Sequence, residues 1–157
     1  MLEGFGWEGK SLAVWSERAV VALPDGHSIA KQDVVCWKEL ARESLLLPQR
    51  GPGPEYFRLI CRKLDDVGPI RVIHHDVTVD RLLTLVGAGF GIVAFLEGAT
   101  GASYPGVTFR ELHDSEGPTR MNFRALWRED NPNPSLHPFL DMLRERYPDL
   151  FGEPAPS

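Results

Sequence analysis

The sequence predicts an α/β fold, and three observations carry that expectation. Short continuous apolar runs recur at Arg18–Leu23, Leu45–Leu47 and Gly91–Leu96, as strands covered on both faces require. Amphipathic helical stripes lie between the later runs. The order strand, helix, strand, helix, strand over residues 45–96 is that of parallel β-α-β units.

Each element has a local reason. Residues 1–17 mix glycine, glutamate and aromatics and read as irregular or weakly extended. Arg18–Leu23 reads as a buried strand stopped by Pro24-Asp25-Gly26. Trp37–Arg42 allows a short helix. Leu45-Leu46-Leu47 is a strand ended by Pro48. Residues 49–54 are loop, and Pro54 suits the first turn of a helix. On that helix Tyr56, Phe57, Ile60, Cys61 and Leu64 share one face. Ile70–His74 reads as the next strand. Thr78 then caps a helix whose stripe is Val79, Leu82, Leu83 and Val86, and Gly89 stops it.

Gly91–Leu96 follows as a buried strand. Val107–Leu112 alternates, with Val107, Phe109 and Glu111 against Thr108, Arg110 and Leu112. Residues 113–120 read as polar loop, and Met121–Arg128 as a strand with Phe123, Ala125 and Trp127 on one side. Ser135 caps a last helix with the stripe Leu136, Phe139, Leu140, Leu143 and Tyr147.

Composition narrows the function. The 157 residues are 43% apolar and 25% charged, with a formal net charge of −5, a composition that builds a globular core. An acidic chain is a poor candidate for holding nucleic acid by charge. No apolar run reaches the length of a membrane helix, and no basic-then-apolar leader pattern opens the chain. Two cysteines, Cys36 and Cys61, argue against a disulfide framework, so a reduced cytoplasm is the expected location.

The candidate chemistry is sparse. Asp25-Gly26-His27 reads as an exposed turn carrying a histidine. His74-His75-Asp76 suggests a metal site, but adjacent strand residues point to opposite faces and a zinc site needs three or four converging ligands. His75 and Asp76 read instead as strand-end residues lining a cleft. Gly87-Ala88-Gly89-Phe90-Gly91 closes a helix and opens a strand, the reverse of a dinucleotide-binding loop. Gln49, Arg50 and Gly51 follow a strand and precede a helix N-terminus, where ligands of open parallel sheets collect and anions are favoured. No nucleophile elbow, metal set or cofactor fingerprint stands out, so no catalytic residue, metal or cofactor is assigned and an enzyme is not expected.

Three stretches, in order, resemble a known family. Arg18–Ala30, Leu82–Ile92, and Leu126–Pro132 followed by Phe139–Leu143 are similar to segments of the effector-binding domain of LysR-type transcriptional regulators. The resemblance spans residues 15–148. It implies a fold like a type 2 periplasmic binding protein, two α/β subdomains joined by crossing strands at 18–23 and 107–112. Residues 24–106 would then form the complete second subdomain, and 113–148 only the closing strand and helix of the first. Residues 1–17 would be an irregular lead-in, and 149–157 a tail.

Nothing in this sequence matches the family's winged helix-turn-helix or the opening half of its first subdomain, so a truncated effector domain is expected. The first-subdomain Ser or Thr that anchors effectors in the family has no counterpart. The resemblance implies a small organic effector, anionic ones included, held between the subdomains with Gln49, Arg50, Gly51, His75 and Asp76 on the surviving wall. It also implies self-association or pairing with an intact relative, and no DNA binding by this chain alone. A stand-alone ligand-binding or dimerising module is the alternative. Exposed apolar surface is expected at Phe123, Ala125 and Trp127, with Trp7 and Trp15.

Overall fold

The computed structural model describes residues 7–49, 60–64, 68 and 70–147. Eight strands are present among the described residues: β1 (Lys10–Pro24), β2 (Val34–Cys36), β3 (Ser44–Pro48), β4 (Arg71–His75), β5 (Val93–Leu96), β6 (Val107–Asp114), β7 (Gly117–Pro118) and β8 (Arg120–Trp127). Helix α1 is described over residues 60–64, followed by α2 (Val79–Gly87) and α3 (Leu136–Arg146). The chain divides into two compact units, Glu17–Arg120 and Met1–Ser16 with Met121–Ser157.

In Glu17–Arg120, the sheet order is β2-β6-β1-β5. β1 lies antiparallel to β5, from Ala19↔Leu96 to Ala22↔Val93, and antiparallel to β6, from Val20↔Glu111 to Pro24↔Val107. β2 is parallel to β6. β3 and β4 form a parallel pair, from Ser44↔Arg71 to Pro48↔His75. A parallel bridge between Leu45 and Ile92 ties β3 to the chain entering β5. The Leu46 N–H donates to the Ile92 carbonyl at 2.8 Å, and the Ile92 N–H to the Ser44 carbonyl at 2.9 Å.

The unbroken apolar run in β1 now has its reason. Val20 and Ala22 pack with Leu46, Leu82, Leu83, Val86, Val93 and Phe95. Val21 and Leu23, on the opposite face by alternation, are buried as well. α2 lays Leu82, Leu83 and Val86 into the first cluster, but Val79, in its first turn, is exposed. Thr78 holds the N-cap position without a capping side-chain bond. Gly89, at φ +80°, adopts the left-handed conformation that ends the helix. Ile60 and Leu64 of α1 are buried and Cys61 is half-buried. Tyr56 and Phe57, placed on the same face by their spacing, lie outside the described residues. The Trp37–Arg42 segment is a 3₁₀ helix; Glu39 accepts the Cys36 N–H at 2.8 Å and so closes its first turn.

In the other unit, β8 pairs β1, and Arg124 donates to the Ser11 hydroxyl at 2.8 Å. α3 packs Leu140 and Leu143 on Val14, joined by Leu12, Phe123, Ala125, Trp127 and Leu136.

Several expectations need correction. The segment read as irregular is strand from Lys10 onward, because Leu12 and Val14 alternate toward α3 while β8 supplies backbone partners. The loop expected at 113–120 carries the end of β6 and the short β7, paired through His113↔Pro118 and Asp114↔Gly117. Phe139 and Tyr147, expected on the apolar stripe of α3, are exposed. Ser135 stands at the N-cap, yet its hydroxyl caps nothing. Instead its N–H donates to the Asn133 side chain at 2.9 Å, and the Asn133 N–H to that of Asn131 at 3.0 Å. Phe123, Ala125 and Trp127 are half-buried rather than exposed, whereas Trp7 and Trp15 are exposed as expected. Neither Cys36 nor Cys61 is joined in a disulfide.

Candidate functional site

β2, β3, β4, β5 and β6 all run in one direction, as the pairing to antiparallel β1 and the bridge to β3 require. Their carboxyl ends therefore share one edge of Glu17–Arg120, where ligands of α/β sheets collect. Gln49 leaves β3 at that edge, exposed. Its N–H donates to the carbonyl of His75 at 2.9 Å, so the ends of β3 and β4 are joined there. His75 is half-buried, and Asp76 is exposed immediately after it. Thus the structure brings Gln49, His75 and Asp76 to one edge, while Arg50 and Gly51 lie outside the described residues. His74 alternates away from His75 along β4. Among the described residues no cluster of three or more metal-ligating side chains occurs.

The same edge carries an ion-pair network that sequence reasoning missed. Arg18, in β1, donates through Nε to Glu97 at 2.7 Å and through Nη1 to Glu111 at 2.9 Å. Its backbone N–H also donates to Glu97 at 3.1 Å. His113 faces the other oxygen of Glu111 at 3.2 Å, so Glu97, Arg18, Glu111 and His113 form a chain across β5, β1 and β6. Glu17 accepts the Gly98 N–H at 3.2 Å. Lys63 of α1 donates to Asp114 at 2.8 Å, with Thr119 adding a 3.3 Å bond.

These contacts set the charge states. The Arg18 hydrogen bond, with its backbone N–H, holds the Glu97 carboxyl below its ordinary range. The Lys63 hydrogen bond does the same for Asp114, against the opposing effect of burial. The guanidinium of Arg18 is raised in turn, first by its bond to Glu97. At α2, the Tyr104 hydroxyl donates to Asp80 at 3.0 Å, and that bond pushes the phenol up. A signal for the network was present in the sequence. Arg18 opens an apolar strand, and Glu111 interrupts the strand that pairs with it.

Chemically, this edge offers the exposed Gln49 side chain, the His75 imidazole and carboxylates already held by donors. Such an arrangement suits recognition of a small polar molecule by hydrogen bonds.

The fold is that of an α/β domain whose parallel strands end on one edge. Residues 7–148 match the family model of the LysR substrate binding domain, and the chain belongs to that family. It is 26% identical over 142 residues to the HTH-type transcriptional regulator TtuA of Agrobacterium vitis, covering 88% of this chain and 46% of that protein. The chain thus spans about half the length of that curated relative. Its fold is similar to the BenM effector binding domain with its effector benzoate, at a TM-score of 0.71 and 21% identity, over 93% of this chain and 67% of that one. It is also similar to the reduced form of the OxyR regulatory domain from Pseudomonas aeruginosa, at a TM-score of 0.70 and 16% identity, over 92% and 70% of the two chains. TtuA is a transcriptional regulator and the OxyR domain a regulatory one, neither an enzyme by its description. Among the described residues no helix is long and apolar enough to cross a membrane.

Proposed function

We propose that this chain is the effector-sensing part of a LysR-type transcriptional regulator. It binds a small organic molecule, anionic ones included, at the carboxyl edge of Glu17–Arg120, using Gln49, Arg50, Gly51, His75 and Asp76. The observation that carries the reading is the Gln49-to-His75 hydrogen bond, which fixes two candidate strand ends side by side at that edge. The family membership supports the ligand-binding role. Effector binding would shift the population of domain arrangements, and the parent regulator would convert that shift into altered DNA contact.

The test is a thermal-shift screen of small organic acids, with benzoate as the first probe because the BenM domain takes it as effector. Hits would then be measured by titration calorimetry. Arg50→Ala is expected to weaken a confirmed acid by about tenfold, as loss of one charged hydrogen-bonding partner does. Unchanged affinity in that variant and in His75→Ala would remove these residues from the site.

A further inference from the structure

The opposite edge of Glu17–Arg120, where β3 and β5 begin and β1 ends, holds a separate recess of about 170 Å³. A cavity of about 150 Å³ accommodates a molecule the size of benzene. Its wall includes His27, Arg42, Glu43, Phe90 and Ile92. The turn bearing His27 is pinned. The His27 N–H donates to the Pro24 carbonyl at 2.9 Å, and the Asp25 N–H to the Gly106 carbonyl at 3.0 Å. The Ile29 N–H donates to His27 Nδ1 at 3.3 Å, which leaves the ring proton on Nε2, 3.3 Å from Glu43 Oε2. Asp25 and Gly26 are the exposed turn expected from sequence, while the His27 side chain is half-buried and orients Glu43.

Two features of this recess have no structural use. Glu43 Oε1 and the exposed guanidinium of Arg42 have no hydrogen-bond or ion-pair partner among the described residues, and the two neighbours do not pair with each other. Phe90 leaves 64% of its surface in solvent at the rim, on a loop whose other side is fixed. There a Cβ on Gly91 would run into the Ser44 carbonyl oxygen. An anion alone would be repelled by Glu43, and a cation alone by Arg42. A single small zwitterion satisfies both, with its apolar part covering Phe90.

We propose that this recess is a second ligand site, taking a small α-amino acid. The carboxylate lies on Arg42, the ammonium on Glu43, and the side chain against Phe90.

The experiment is a ¹H–¹⁵N chemical-shift titration of the whole chain with L-valine, N-acetyl-L-valine and L-valinamide. The two derivatives each lack one charge. Valine is expected to move the amides of Glu43, Ser44, Phe90 and Gly91 with a Kd of about 1 mM, and each derivative to bind about tenfold more weakly. Arg42→Gln and Phe90→Ala, both at exposed side chains, should weaken valine by about tenfold with an unchanged melting temperature. Absence of shifts at about 10 mM valine would overturn the proposal. So would equal binding by the derivatives, or shifts confined to Gln49, His75 and Asp76, where the proposed effector edge would be responding instead.

Discussion

In Glu17–Arg120 the central strands are covered on both faces, and Ala19, Val21, Ala22, Leu23, Leu45 and Leu46 are fully buried. In Met1–Ser16 with Met121–Ser157, two paired strands lean on one helix, and the core cluster is Val14, Leu140 and Leu143. Most of the large exposed apolar side chains sit in this second unit: Trp7, Trp15, Phe139, Met142 and Tyr147. The ion pairs Lys10–Glu129, Arg128–Asp130 and Arg144–Asp141 in it are solvated and add little. Two strands alone are marginal, so this unit depends on α3 for its stability. The difference teaches that the larger unit owes its rigidity to two-sided burial, and that the smaller one should open first.

The comparison can be broken at several points. Leu46→Ala removes a fully buried side chain between β5 and α2 and should cost about 3 kcal/mol in urea unfolding followed by far-ultraviolet circular dichroism. Gly91→Ala should cost about 2 kcal/mol by the same measurement, because φ is +158° and the new methyl meets the Ser44 carbonyl. Leu140→Ala should cost less, about 1–2 kcal/mol, because so small a core relaxes around the gap. Hydrogen exchange would show the loss of protection concentrated in α3 and β8. Equal loss throughout β3 and β5 would mean that the two units do not differ in local stability. Trp37→Phe deletes the buried 2.9 Å bond from the indole to the Thr119 hydroxyl and should cost about 1 kcal/mol.

The smallest effect is electrostatic. Asp114 and Glu97 titrate below their ordinary range, so each contributes stability that is fully present above the unfolded carboxylate value. That contribution is lost as pH falls through the depressed values, below about pH 4. Acid unfolding of Asp114→Asn is therefore expected to have a shallower pH dependence than that of the parent chain. An unchanged acid limb would show that the Lys63 contact contributes nothing to folding.

The strands and helices between Leu45 and Leu96 were legible because buried parallel strands must be continuously apolar and α2 needs a stripe. The strand from Lys10 was missed because its alternation is short and masked by glycines and glutamates, and its partner β8 lies more than a hundred residues away. Ser135 misled for a related reason. A serine before a helix is a good capping residue, but Asn133 reached its backbone first. At the carboxyl edge, Gln49, His75 and Asp76 could be placed by strand order alone. The Arg18 network could not, since it depends on β1, β5 and β6 meeting in a register that no local pattern states. The exposed turn before His27 was legible, but the contact from His27 to Glu43, sixteen residues on, was not.

The Trp37–Thr119 bond has a spectroscopic consequence. Of the four tryptophans, Trp37 alone is buried, and it is the only one within Glu17–Arg120. Trp7 and Trp15 face solvent, and Trp127 is half-buried. An aqueous quencher such as iodide will therefore extinguish emission from the smaller unit first. The residual, blue-shifted light then reports the larger unit by itself, and the two can be followed separately in one cuvette without a label.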